Sequence, residues 1–170
     1  VWTSPVNAKE ICKKIAEKLI AADSDNEAIY TANLNEYLAK LDALDETIRE
    51  TVENGVRKTL VFGDRFPFRY FADQYGLTYF AAFPGCSGET EPDAATIKFL
   101  IDKVTEESIP IVLYTELSNQ KIADAICEAT GAKKALFHSC HNVTKDEFDR
   151  GETYLSLMEK NVDVLKEALF

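Results

Sequence analysis

Histidine is nearly absent from this chain: only His138 and His141 occur in 170 residues, and they stand three positions apart. Basic residues are also few, 19 Lys and Arg against 29 Asp and Glu, for a formal net charge of -10. That balance argues against a nucleic-acid or anionic-membrane surface, because phosphates are held by Lys and Arg. No apolar run approaches the roughly 18 residues that a membrane-spanning helix needs, and no cleavable signal opens the chain. There is neither a P-loop nor a G-x-G-x-x-G, so nucleotide binding has no positive support and no organic cofactor is expected. Repeats, linkers and low-complexity stretches are missing as well. What remains is 46% hydrophobic and 28% charged residues, enough to bury the core of one ordinary domain over residues 1–170.

Two helices are expected first. Ser4 is a suitable N-cap with Pro5 at the first helical position, and Val6, Ile11, Ile15, Leu19 and Ile20 recur at helical spacing up to Ala22. A second, longer helix runs from about Glu27 to Glu53, with Tyr30, Leu34, Tyr37, Leu38, Leu41, Leu44 and Ile48 on one face, and Asn54-Gly55 stops it in the manner of a left-handed cap. Strands then alternate with helices: strands at 59–62, 77–83, 109–114 and 134–137, helices at 67–75, 93–107 and 118–130, and a last helix from Gly151 onward. The fold class is therefore α/β: a Rossmann-like, four-stranded, mainly parallel sheet with helices on both faces, preceded by two helices. Residues 1–55 form the helical pair and residues 56–170 the α/β lobe.

In such sheets, ligands bind beyond the carboxyl ends of the strands. Those ends are Gly63-Asp64-Arg65-Phe66, Pro84-Gly85-Cys86-Ser87, Thr115-Glu116 and His138-Ser139-Cys140-His141, which places all the chemically interesting residues on one rim. His138 and His141 are candidate metal ligands, since a short loop after a strand can aim two imidazoles inward; ordinary loop hydrogen bonding explains the same motif. A Cys140 nucleophile activated by His141 is an alternative chemistry, although neighbours at a strand end point apart and no G-x-S-x-G accompanies them. Cys86 and Cys140 both lie just past strand ends and can meet as a disulfide worth roughly 3 to 5 kcal/mol, free or metal-binding thiols being the other reading. Asp64 offers either a helix cap or a rim carboxylate, Arg65 an ion pair or an anion hook, and Glu116 a rim carboxylate or a cap for the next helix. The acidic helical positions Asp42, Asp45, Glu46 and Glu50 suit either an interaction surface or a solvated face.

The order of motifs resembles the zinc/manganese class of ABC-transporter solute-binding proteins, a family that includes metal-binding lipoproteins and adhesins. The resemblance rests on Val1-Trp2-Thr3-Ser4-Pro5 with Asn7-Ala8, Asp25-Asn26, Tyr30, Asn33 and Tyr37. It continues through Phe68, Tyr70-Phe71-Ala72, Tyr75-Gly76-Leu77, Gly85, Glu91-Pro92 and, in the last helix, Tyr154, Met158 and Asn161. It implies the carboxyl-terminal lobe of a two-lobed, non-enzymatic binder, with the helical pair of residues 1–55 including the helix that joins the lobes. The implied cargo is zinc or manganese, the implied partners are a membrane permease and the amino-terminal lobe, and the implied location is the outer face of the membrane or the periplasm. In that family the opening phrase reads His-Val-Trp with a metal-binding histidine, which would stand immediately before Val1. A chain opening without Met is accordingly expected to be part of a longer exported protein. The family's third ligand, a His or Glu, falls on Arg65, which stays protonated and cannot coordinate; Asp64 is the adjacent substitute. The fourth, an acidic residue, falls near Ser139. The expected metal ligands in this chain are thus His138, His141 and Asp64, with Arg65, Glu116, Ser139 and Cys140 lining the cleft.

Overall fold

The computed structural model describes residues 1–83 and 92–170. Helix α1 (Pro5–Ala22) begins as expected, with the Ser4 hydroxyl accepting the Asn7 N–H at 3.3 Å and Pro5 in the first turn. A 3₁₀ turn at Ser24–Asn26 leads into α2 (Glu27–Asn54). The α/β portion follows as β1 (Thr59–Arg65), α3 (Arg69–Tyr75), β2 (Thr78–Phe83), α4 (Ala94–Glu106), β3 (Ile111–Tyr114), α5 (Lys121–Thr130), β4 (Lys133–Leu136), α6 (Lys145–Asp149) and α7 (Tyr154–Leu169). The strands form one four-stranded sheet in the order β2-β1-β3-β4, and every pairing is parallel. The Rossmann-like fold class read from the alternating pattern is the one found. Among the described residues, no helix is long and apolar enough to cross a membrane.

Successive strand residues feed opposite faces, as the pleat requires. Leu60, Phe62, Ile111 and Leu113 pack with Phe68, Phe71, Phe137, Met158 and Leu165 beneath α2, α3 and α7. Val61, Ala82 and Val112 pack with Leu100 and Val104 of α4 and with Ala123 and Ile126 of α5. Both faces are thus covered, which is why the strands read as apolar runs without alternation. Helix α1 behaves differently. Its buried residues are Pro5, Ala8 and Ala16, and it packs mainly on α2, while Ile11, Ile15 and Leu19 remain exposed.

The boundaries differ from expectation in ways that bear on the rim. Strand β1 runs three residues beyond Phe62, so that Arg65 still pairs with Phe83 after an irregularity between Phe62 and Arg65. Helix α5 starts at Lys121 and not Ser118, because Leu117 and Gln120 take left-handed backbone angles (φ 60° and 59°) that no helix accommodates. Helix α3 starts at Arg69 and α7 at Tyr154, the latter capped by Thr153, whose hydroxyl accepts the Ser156 N–H at 3.2 Å. Gly55 is extended (φ -63°) where a left-handed cap was expected; a Cβ there would lie 2.9 Å from Leu169 Cβ, so close approach, not turn geometry, calls for glycine. Helix α6 had no counterpart in the sequence reading.

Candidate functional site

The carboxyl ends of β1, β3 and β4 converge on a cleft of about 280 Å³, lined among others by Trp2, Arg65, Thr115, Glu116, Ser139 and His141. Two carboxylates with buried side chains organise it, Glu116 lining the cleft and Asp64 lying behind it. Asp64, still within β1, accepts the Thr115 N–H at 2.9 Å and the Thr115 hydroxyl at 2.7 Å on one oxygen, and the Arg65 N–H at 2.7 Å on the other. It therefore staples the end of β1 to the end of β3. Glu116 reaches from β3 under the loop that follows β4. Its carboxylate accepts the N–H groups of Ser139 (2.9 Å), His141 (3.3 Å) and Asn142 (3.5 Å), together with the Ser139 hydroxyl. Cys140 sits at φ 56° between them, the left-handed kink that lets neighbouring N–H groups turn toward one anion.

The two histidines part company in this loop. His138 is 2% exposed. Its N–H and carbonyl are both bonded by the Asn161 side chain, at 2.7 and 2.8 Å, and its Nδ1 accepts the Cys140 N–H at 2.9 Å. Nδ1 being an acceptor, the neutral ring carries its proton on Nε2, which faces Glu147 Oε1 at 3.6 Å. Glu147 is itself held by the Thr144 N–H and hydroxyl in a capping box at the start of α6, and the Thr144 N–H is the main reason its carboxyl lies below the usual range. His141, by contrast, is exposed and lies in the cleft, its ring stacked on Trp2 with centroids 5.6 Å apart and planes 23° apart. Trp2 is fixed there, donating from Nε1 to the Ser139 carbonyl at 3.1 Å while its own carbonyl accepts the Tyr154 hydroxyl at 2.7 Å.

The expected site residues therefore share one rim without sharing one ligand sphere. Arg65, Glu116, Ser139 and His141 line the cleft. His138 and Asp64 are buried behind it; both Asp64 oxygens and His138 Nδ1 accept from protein groups, while His138 Nε2 makes no hydrogen bond among the described residues. Among the described residues, no three His, Cys, Asp or Glu side chains come together in a way that could hold a metal ion. Cys140 bears a free thiol, and burial, reinforced by Glu116 and Glu147, pushes it up to about 12. That is the reverse of what a thiolate nucleophile needs. Its suggested disulfide partner Cys86 lies outside the described residues, and the pairing with it. Trp2 as a cleft wall, and Asn161 and Glu147 as neighbours that hold or face His138, were not expected from the sequence. The Thr144-x-x-Glu147 capping signature was the one available signal for the last of these.

A parallel α/β sheet with its cleft at the carboxyl ends of the strands, walled by an indole–imidazole stack, defines a ligand-binding lobe of the Rossmann-like class. Residues 1–168 match the family model described as zinc-uptake complex component A, periplasmic, and the chain belongs to that family. It is 32% identical over 169 residues to the high-affinity zinc uptake system protein ZnuA of Bacillus subtilis, a match covering 99% of this chain and 52% of that protein. Among solved structures it resembles the metal-dependent lipoprotein YcdH of Bacillus subtilis, with a TM-score of 0.85 and 32% identity over 99% of this chain and 63% of that one. It also resembles the Zn(II)-bound ZnuA-like domain of Streptococcus pneumoniae AdcA, with a TM-score of 0.81 and 30% identity over 99% of this chain and 62% of that one. The chain thus spans about half the length of the Bacillus subtilis zinc-uptake relative. The family suggested by the order of motifs is the family found.

Proposed function

We propose that this chain is one lobe of the extracytoplasmic solute-binding component of an ABC importer, and that its cargo is zinc. The match to the zinc-uptake family over residues 1–168 carries the reading. The cleft supports it, since His141 offers an imidazole at the place where such sheets bind ligands, and imidazole suits zinc better than manganese. His141 is the direct ligand in this proposal. His138 and Asp64, named with it from the sequence, shape the rim: one is the hub of the β4 loop, the other the staple between β1 and β3. The remaining coordination positions fall to the other half that the relatives possess, which completes the cleft when the lobes close. A membrane permease receives the cargo, and the protein works outside the cytoplasm, tethered as a lipoprotein. The role is one of capture and release, without catalysis: the Cys140 thiol is held protonated and His141 is engaged with Trp2 instead.

Calorimetric titration with zinc chloride and manganese chloride tests the reading, comparing this lobe joined to the other half that the relatives possess with the same protein carrying His141→Ala. Saturable zinc binding that the substitution abolishes is the expected result, with a smaller response to manganese. Zinc heats that are the same in both proteins would remove His141, and with it the cleft, from the assignment.

A further inference from the structure

His141 enters the cleft from a loop whose backbone is fixed. Glu116 and the Ser139 hydroxyl each accept its N–H at 3.3 Å, but those bonds set the peptide and leave the side-chain torsions open. Among the described residues, the contact that orients the imidazole is the stack on Trp2, with centroids 5.6 Å apart and planes 23° apart. Trp2 is held in turn by its ring and by its backbone. Its Nε1 donates to the Ser139 carbonyl at 3.1 Å, and its carbonyl accepts the Tyr154 hydroxyl at 2.7 Å. Tyr154 is the first residue of α7 and packs against the core beneath α2, α3 and α7. A path of contacts therefore runs from α7 through Tyr154 and Trp2 to the His141 ring, although Tyr154 and Trp2 are 152 positions apart in sequence. The stack is also compatible with ligation. A metal binds an imidazole nitrogen in the plane of the ring, along its lone pair, whereas the indole covers a face, so the two partners do not compete. A ring that gives electron density to a metal becomes more positive, and the face of an indole attracts positive charge.

We propose that Trp2 is a positioning residue for the zinc ligand His141, and Tyr154 a positioning residue for Trp2. The indole fixes the plane in which the imidazole presents its nitrogen, and the Tyr154 hydroxyl fixes the indole. The inference rests on the zinc-binding reading above and names what sets the geometry of the ligand. It explains how an exposed imidazole on an open rim is ready for its cargo, since side-chain freedom given up beforehand is not lost again on binding. Zinc at His141 tightens the stack, and a firmer stack raises the affinity for zinc by the same factor.

The test uses this lobe joined to the other half that the relatives possess, as wild type, Trp2→Phe, Trp2→Leu, Tyr154→Phe and His141→Ala. Each is titrated with zinc chloride by calorimetry. Nuclear magnetic resonance of isotope-labelled histidine rings reads the stack without zinc, because an aromatic neighbour displaces the His141 ring signals, which are assigned by their loss in His141→Ala. Trp2→Leu should weaken zinc binding about fivefold, as loss of an aromatic pair does, and abolish that displacement. Trp2→Phe restores an aromatic face and should keep the displacement, with an affinity within about twofold of wild type. Tyr154→Phe deletes one hydroxyl and should fall between, at about threefold, with a reduced displacement. A merely structural role for Trp2 would lower the thermal melt and leave the His141 signals where they are. If Trp2→Leu does not fold, Tyr154→Phe carries the test, and a Tyr154→Phe protein identical to wild type in both readouts would overturn the relay. Wild-type zinc affinity in Trp2→Leu, equal losses in Trp2→Leu and Trp2→Phe, or His141 signals indifferent to Trp2→Leu would overturn the inference while zinc binding at His141 stands. A zinc response that is absent or indifferent to His141→Ala would overturn the zinc reading and this inference together.

Discussion

Gly63 lies in close contact with α5, and its replacement by alanine is a sharp test of how that helix packs on β1. A Cβ at Gly63 would lie 2.5 Å from Ala123 Cα, 2.7 Å from Ala123 N and 2.8 Å from Ala123 Cβ. Two of those atoms are backbone of α5, so no rotamer change relieves the overlap; either the helix lifts off the sheet or β1 bends. Overpacking of this kind costs about 3 kcal/mol, the upper part of its usual range, against under 1 kcal/mol returned by the stiffer unfolded chain. For a chain of this length the net loss of about 2 to 3 kcal/mol lowers the melting temperature by about 4 to 12 °C. Urea unfolding followed by far-ultraviolet circular dichroism measures the first figure and a thermal scan the second. The double variant Gly63→Ala/Ala123→Gly separates backbone from side-chain overlap. It removes only the 2.8 Å contact, leaves those at 2.5 and 2.7 Å, and adds a helical glycine costing about 1 kcal/mol, so it should be no more stable than the single variant. A Gly63→Ala chain within about 0.5 kcal/mol of wild type, or full rescue by Ala123→Gly, would refute the close approach of α5 to β1.

Replacing Glu116 by Ala strips the acceptor from the Ser139, His141 and Asn142 N–H groups and should cost about 2 kcal/mol. Hydrogen exchange at those amides should accelerate, with Glu116→Gln intermediate; unchanged protection would show that the loop holds itself. Alkylation of Cys140 by iodoacetamide at pH 8 should run roughly a thousandfold slower than that of a free cysteine, since its thiol is pushed up to about 12; rapid modification in the folded chain would return the thiol-enzyme reading to contention. The depressed Glu147 carboxyl, held first by the Thr144 N–H, contributes stability that is fully present above the unfolded value near 4.3 and lost as pH falls through the lower folded value. Urea midpoints below about pH 5 should therefore fall less steeply in Glu147→Gln than in wild type, and identical acid limbs would contradict the capping box.

The scaffold was legible where local chemistry and periodicity agreed. Ser4 and Pro5 mark the start of α1, and the apolar runs of β1 and β3 announce strands covered on both faces. The topological rule pointed to the carboxyl ends of the strands without reference to any side chain, and the structure has a cleft there. It was not legible that Gly63, Asp64 and Arg65 belong to β1. Gly and Asp disfavour strands locally, and the gains that override them are distant: the fit against Ala123, and the Asp64 bonds to Thr115 across 51 residues. The roles of the two histidines were equally hidden. Which one turns inward is decided by Asn161, 23 residues further on, and by the left-handed backbone at Cys140, and neither is visible in His-x-x-His. Helix α6 escaped notice for a different reason: it is five residues long and Phe148 points to solvent, so it shows a cap and no amphipathic pattern.

The way the rim is built constrains how such a lobe can bind anything. Its two buried carboxylates, the residues a metal would most want, are committed to holding backbone N–H groups, and one of its two histidines is committed to holding the loop. The consequence is a pre-organised surface with few free donors. Ordering costs on binding are small because the loop after β4 is already fixed by Glu116 and Asn161. For the proposed zinc cargo, most of the affinity must then come from groups that arrive from outside this surface. Freeing Glu116 to coordinate would gain a donor only by abandoning the N–H groups of Ser139, His141 and Asn142, and freeing Asp64 only by unpinning the end of β1 from Thr115.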